Sequence, residues 1–245
     1  MKQNKRHRVL AIDVGGSHVK VRVSNRRDMR QFVSGPDLTP AQMVAGVHEL
    51  TGDWNYTAVS IGYPGIVIHG KIVTEPHNLG RGWVGFNFRE AFGRPTRVIN
   101  DAAMQAIGSY EGGRMLFLGL GTGLGSAMIV DGIVESMELA HMIYKKGRTY
   151  EDYVGDRGRR RLGPKKWRRA VADIVEKLRT ALEADYVVLG GGNARKLKKM
   201  PRGARLGNND FAFVGGFRMW RAGGIFPRGA ARRGAELTRP AVSRD

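Results

Sequence analysis

The sequence predicts an α/β fold in two lobes with a cleft between them. Short apolar and β-branched runs alternate with longer stretches of helical spacing. One arrangement also occurs twice: strand, glycine turn, strand, then helix, a coarse internal duplication rather than a short tandem repeat. A chain of 245 residues suffices for one large domain or two modest ones with a proper core. The division falls near Gly112–Gly113, giving an N-terminal lobe over 1–112 and a C-terminal lobe over 113–245.

The elements follow in order. RVLAIDV and HVKVRVS pair across Gly15–Gly16, and RQFVS supplies a third strand. PAQMVAGVHELTGDW reads as a helix with proline at its start. YTAVSIGYPG is a strand ending in a Pro-Gly turn, and IVIHGKIV is a hairpin around His69–Gly70. RPTRVIND is a strand ending on Asn100–Asp101, before the helix AAMQAIGSYEG. The pattern then restarts. RMLFLGLGTGLGSAMIVDGIVE gives strand, glycine turn, strand and a further short strand around Asp131–Gly132. KKWRRAVADIVEKLRTALEA is a helix, and DYVVLGGGNARKL runs from strand through glycine turn into helix.

Three glycine turns each follow an apolar strand: DVGGS (Asp13 to Ser17), GLGTGLG (Gly119 to Gly125) and LGGGN (Leu189 to Asn193). An ordinary hairpin explains the first, and so does a phosphate cradle, because glycines let backbone N–H groups approach an anion closely. None is a P-loop, since the Lys-Ser/Thr ending is absent. A strand rather than a helix follows GTGLGS, which argues against a dinucleotide fingerprint. Three such turns, spread over both lobes, point to a site that grips a chain of phosphates from two sides. The competing explanation is a glycine-rich chain with ordinary turns, since 35 residues are glycine.

Composition narrows the classes. There is no cysteine, which removes disulfides, thiolate chemistry and cysteine-ligated zinc. No apolar run approaches the ~20 residues of a membrane span, and the N-terminus lacks the marks of a signal peptide. A cytoplasmic protein with no membrane partner is expected. The net charge of +19 predicts attraction to polyanions. It gathers in KKGR (Lys145 to Arg148), RGRRRLGPKKWRR (Arg157 to Arg169), ARKLKKMPRGAR (Ala194 to Arg205) and the tail FPRGAARRGAELTRPAVSRD, which reads as flexible. A solvated face is the plain alternative for such runs.

The segments DVGGS, GYPG, EPHNLGRGW, VIND, GTGLGS, ELAH, YEDYVG and LGGG occur in the order found in the ROK family of sugar kinases. The resemblance spans roughly Arg8 to Leu197. Within the family it is greatest to the polyphosphate glucokinases, through YPGIVIHGKIVTEPHNLGRGW and IVDGIV. It implies an actin-like (ribonuclease H-like) ATPase fold and transfer of a phosphoryl group from inorganic polyphosphate or ATP to the 6-hydroxyl of glucose. Asp101 matches the catalytic base; its spacing alone reads as a helix N-cap. Asn78, Asn100, Glu138, His141 and Glu151 match sugar ligands, with Pro64 and Gly65 shaping the loop that approaches the sugar. Gly15, Gly16, Ser17 and Lys20 match the first phosphate motif, and Gly121, Thr122, Gly123 and Gly125 the second. Gly190, Gly191 and Gly192 match the turn that flanks adenosine in nucleotide-using relatives. Asp13 is expected to help hold Mg²⁺ through water. The resemblance also suggests a homodimer.

Departures from the family pattern are visible. Ser17 stands where threonine is usual and keeps the hydroxyl. Ala140 replaces the glycine of ELGH, so a strained backbone or shifted sugar is expected there. MIYKKGRT holds no cysteine where many members carry a zinc motif, so no zinc is expected and His141 serves sugar or structure. The ending after LGGG matches only loosely. Other readings are a kinase for another hexose, such as mannose or glucosamine, a basic nucleic-acid-binding protein, and an actin-like scaffold. A ROK-type repressor needs an N-terminal helix-turn-helix, for which the residues before Arg8 leave no room. The sugar-ligand set from Asn78 to Glu151 argues against a scaffold.

Overall fold

The computed structural model describes residues 7–208 and 210–221, and the backbone of 226–227. The basic tail expected to be flexible lies outside the described residues, apart from that two-residue strand. In chain order the elements are β1 (Val9–Val14), β2 (His18–Val23), β3 (Arg30–Val33), α1 (Pro40–Thr51), β4 (Ala58–Tyr63), β5 (Val67–Ile68), β6 (Lys71–Ile72), α2 (Phe88–Ala91), β7 (Thr96–Asn100) and α3 (Asp101–Ser109). Then come β8 (Arg114–Leu120), β9 (Leu124–Val130), β10 (Ile133–Met137), β11 (Ile143–Lys145), β12 (Arg148–Thr149), α4 (Tyr150–Val154), α5 (Asp156–Ala181), β13 (Tyr186–Gly190), β14 (Ala204–Leu206), α6 (Phe211–Arg218) and β15 (Phe226–Pro227). No described helix is long and apolar enough to cross a membrane.

Two sheets carry the architecture. The first has strand order β3-β2-β1-β4-β7 and the second β14-β13-β8-β9-β10-β15. Read from β10 inward, the second repeats the first: an antiparallel three-strand meander, then two strands parallel to its first member. That is the duplication the sequence carries.

Alternation along the strands sorts the layers. Leu10, Ile12 and Val14 pack with Met43, Val44 and Val47 of α1. Their neighbours Ala11 and Asp13 therefore face the opposite side, where Gly216 of α6 meets Ala11 and Ser60. In the second sheet Leu116, Leu118 and Leu120 pack with Trp167, Val171, Ile174, Val175 and Leu178 of α5. Met115 and Phe117 pack with Ala103, Met104 and Ile107 of α3. Each fully buried large side chain here is worth about 1.5–3 kcal/mol. The order across the molecule is α1, first sheet, α3 with α6, second sheet, α5.

Local chemistry explains the ends. Thr39 and Gln42 form a capping box at the start of α1, with Pro40 in the first turn. The hairpin turn at His69–Gly70 has φ of 50° and 75°, the left-handed pair a two-residue hairpin requires. α5 begins earlier than the helix read from Lys165 onward. It breaks at Gly163 (φ 71°, ψ 166°), and Pro164 restarts it. The helix expected after LGGGN is instead one 3₁₀ turn, Ala194–Lys196.

The last described helix does not stay with the second sheet. α6 lies between α3 and the first sheet, contacting β1 and β4. A Cβ on Gly215 would overlap the Met104 carbonyl, and one on Gly108 the Phe211 carbonyl. Two glycines thus let α3 and α6 touch backbone to backbone. Arg218 closes the contact by donating to the carbonyls of Ile107 (2.8 Å), Gly108 (2.9 Å) and Tyr110 (3.1 Å) at the end of α3.

Candidate active site

The first glycine turn closes β1 onto β2. Gly15 N–H donates to His18 O at 3.0 Å. Ser34, just past β3, holds the turn twice: its hydroxyl donates to Gly15 O (2.6 Å) and its N–H to Ser17 O (3.0 Å). Gly16 and Ser17 are exposed at the tip. Asp13 pairs in register with Lys20 across the ladder, so both point to the same face. Burial pushes the Asp13 carboxyl up, and the Lys20 ammonium pulls it partly back.

The second turn is held from elsewhere in the chain. Gly121 N–H donates to Gly123 O at 3.1 Å. Asn193, buried, donates through Nδ2 to Gly121 O (3.0 Å) and through its backbone N–H to Leu120 O (2.9 Å). Asp156 N–H donates to Thr122 O at 3.1 Å. Glu151 accepts Leu124 N–H at 3.0 Å, and its carboxylate occupies the space over Gly123. In the third turn Gly191 has φ 79°, and a Cβ there would fall on the Leu120 carbonyl. The second and third turns are thus one assembly.

Asp101 opens α3 between the sheets. Asn100, not Asp101, is the N-cap: Asn100 Oδ1 accepts Ala103 N–H at 3.1 Å. The N-cap that spacing alone assigns to Asp101 is therefore corrected to its neighbour. Asn100 Nδ2 donates to Gly65 O at 3.1 Å, tying the Pro64–Gly65 loop to the helix start. Asp101 Oδ1 accepts Ala102 N–H at 2.7 Å. Its Cα lies 3.4 Å from where Gly62 would carry a Cβ, and the Ala102 Cβ lies 2.9 Å from the same point on Gly125. The helix start is thus pressed between β4 and β9. Burial, then the nearby charges of Asp13 and Glu138, push the Asp101 carboxyl up to about 7. Three carboxylates from three elements therefore share one electrostatic neighbourhood.

Glu138 precedes a 3₁₀ turn over Leu139–His141, and both Glu138 and His141 are exposed. Ser126 of β9 anchors this segment, donating to Met137 O (2.7 Å) and accepting Leu139 N–H (3.3 Å). Ala140 is buried and is not among the described residues of positive φ. The strain expected from replacing glycine is absent there, because the turn uses ordinary backbone angles. Asn78 is exposed beside the first turn, its Cβ 3.1 Å from where Gly16 would carry one. Its loop is braced by Glu75, which accepts the N–H groups of Trp83 and Val84, each at 3.2 Å.

Ser34, Glu75, Ser126 and Asn193 are thus structural members of the site that sequence reading did not single out. Ser126 and Asn193 lie inside the glycine motifs GTGLGS and LGGGN, a signal that was available. Glu75 likewise lies inside EPHNLGRGW, whose two ends it joins, whereas Ser34 acts at a distance no local pattern encodes. Among the described residues no group of three or more His, Asp or Glu is arranged to hold a metal. Mg²⁺ asks less, taking one or two carboxylates with phosphate oxygens and water. A partly buried Asp13 beside the first glycine turn, within reach of the Asp101 charge, fits that demand.

A profile of the ROK family matches residues 9–137, just over half of the chain. The chain belongs to the ROK family. The polyphosphate glucokinase of Mycobacterium leprae (strain TN) is 26% identical over 213 residues, covering 78% of this chain and 65% of that protein. This chain thus spans just under two thirds of that relative's length. Among solved structures, the inorganic polyphosphate/ATP-glucomannokinase of Arthrobacter sp. strain KM superposes with a TM-score of 0.75 at 21% identity, covering 87% of this chain and 98% of that one. A ROK family glucokinase from Streptomyces griseus, in complex with glucose and AMPPNP, gives 0.69 at 14% identity, covering 85% and 97%. These likenesses carry the fold, which is the two-lobed actin-like ATPase type.

Proposed function

We propose that this ROK-family chain is a glucokinase that transfers the terminal phosphoryl group of inorganic polyphosphate or ATP to the 6-hydroxyl of glucose. One observation carries the reading: a carboxyl group held near neutrality at the start of α3, between two glycine turns built to meet phosphates. A base whose pKa lies near the working pH combines the right protonation state with driving force.

Asp101 accepts the proton of the sugar hydroxyl as its oxygen attacks the terminal phosphorus, and the bond to the bridging oxygen of the donor breaks in line. Asn100 keeps the Pro64–Gly65 loop against that base, and Asn78, Glu138 and His141 supply donors and acceptors for the other hydroxyls. N–H groups of Gly16, Ser17, Thr122 and Gly123, with Lys20, meet phosphate oxygens. Gly190–Gly192 flank the far end of the donor. Asp13 would hold Mg²⁺ through water, and the ion would supply charge neutralisation to the phosphates. Glu151 is already bonded to Leu124 N–H, so in this reading it links sugar side to phosphate side. The relatives named above include a polyphosphate glucokinase and an inorganic polyphosphate/ATP-glucomannokinase, which supports both donors.

The test gives purified protein glucose with polyphosphate or ATP and measures glucose 6-phosphate. Asp101→Asn lowers kcat by about 10²–10⁴-fold with the circular-dichroism spectrum unchanged. Full turnover in that variant removes Asp101 from the mechanism.

A further inference from the structure

We propose that the outer face of the second lobe carries a track for a linear polyanion, continuing the donor site away from the cleft. The inference rests on the kinase reading and adds to it the class of donor: a long chain of phosphates. Two segments set out from the second glycine turn. One is α5, whose first residue donates its N–H to Thr122 O at 3.1 Å. The other begins at Asn193, whose Nδ2 donates to Gly121 O at 3.0 Å. Beyond these anchors the basic stretch of each segment holds no acid. No Asp or Glu occurs from Arg157 to Arg169 or from Ala194 to Leu206.

The two segments lie on the same side of the second sheet, because Ala194 and Leu197 share a core with Trp167 and Val171. Arg157, Lys165, Lys166, Lys196, Lys198 and Lys199 are all exposed. Lys196 Nζ reaches Asn193 Oδ1 at 2.6 Å, so one of these cations stands a single residue away from the phosphate turn. The acids that border α5's basic stretch already have partners. Asp156 meets Arg159 (3.0 Å) and Arg160 (2.7 Å), and Asp173 meets Lys145 (3.1 Å) and Lys177 (3.6 Å).

A face that merely stays in water intersperses both signs of charge. Segregated cations repel one another and gain most from an extended anion that displaces their counterions. A nucleoside triphosphate meets the turns alone, whereas a long polyphosphate also covers the track.

The experiment compares tripolyphosphate, long-chain polyphosphate and ATP as donors for wild type and for a fourfold variant, Lys165→Ala, Lys166→Ala, Lys198→Ala and Lys199→Ala. Filter binding of long-chain polyphosphate and of single-stranded RNA is measured across a salt series alongside. Wild type has a lower KM for the long chain than for tripolyphosphate. The variant raises the long-chain KM at least tenfold and the tripolyphosphate KM less than threefold. Its log K against log salt slope for polyphosphate flattens by about 3, from four lost contacts at about 0.7 each on a single-stranded polyanion. A variant that keeps the chain-length preference overturns the track, and so does a wild type that uses ATP without binding long-chain polyphosphate. Tighter binding of RNA than of polyphosphate at equal salt assigns the face to nucleic acid and overturns it too. Absence of product from every donor overturns the kinase reading instead, and is told apart by the ATP arm.

Discussion

The two glycine turns that end β1 and β8 occupy equivalent places in two sheets of the same strand order, yet they are held in different ways. The first is fixed by its own hairpin and by Ser34 at the end of the next strand. The second is fixed by Glu151, Asp156 and Asn193, which lie far along the chain and outside its meander. A turn braced by its neighbours forms as soon as the meander forms. A turn braced from three distant points keeps its shape only when the whole lobe is assembled, and it passes movement on to each of them. The difference teaches that duplication copied the strands but not the supports.

Substitutions at the two turns break or sharpen this contrast. Gly191→Ala places a side chain on the Leu120 carbonyl at a φ of 79°, so it should destabilise the protein by about 3 kcal/mol or more, read as a fall in the urea midpoint. At Gly15 the nearest atom to an added Cβ is His18 O at 3.0 Å, and Gly15→Ala should cost about 1 kcal/mol. Equal losses would erase the distinction.

Asn193→Ala removes two polar contacts of a buried side chain, those to Gly121 O and Lys196. It should cost about 2 kcal/mol and raise the donor KM more than the glucose KM. Ser34→Ala removes one partly buried hydrogen bond and should cost about 1 kcal/mol. A larger effect at Ser34 than at Asn193 would reverse the ranking of the two supports.

Between the turns, Asp101 sharpens the comparison through pH. With its carboxyl pushed up to about 7, kcat/KM should rise with pH below that value and level off above it. A flat profile from pH 5 to 8 would contradict its role as base. The same shift has a stability sign. The folded pKa lies above the unfolded value of 3.8, so the folded state binds the extra proton between the two. That contribution is whole below about pH 4 and lost as pH rises through about 7. Asp101→Asn should therefore unfold at a higher temperature than wild type at pH 8, with the two midpoints converging below pH 4.

Much of the fold was legible because its signals are local. Alternating runs gave β1, β2, β4, β7, β8 and β9, and glycine turns marked where β1 and β8 end. α6 was hidden because FAFVGGFRMW carries two glycines, which read as helix breakers. Here they are what lets α3 and α6 meet at the backbone. The helix expected after Asn193 is also absent, and a 3₁₀ turn suffices there because Asn193 spends its side chain on Gly121 and Lys196. In the site, Asp101 stood out only through resemblance, since spacing reads it as a cap that Asn100 in fact supplies. The bracing of Gly15 by Ser34 depends on how β3 folds back beside the turn, and no window of sequence carries that.

The position of α6 has a bearing on how the molecule is made. The surface of β1 and β4 that it covers is made well before Phe211–Arg218. Lobes of multidomain proteins generally mature in the order of synthesis, but here the first lobe waits, with its inner face bare, for a segment just over two hundred residues downstream (Ala11 against Gly216). Its inner layer closes only after strands β8 to β14 of the second sheet have been made.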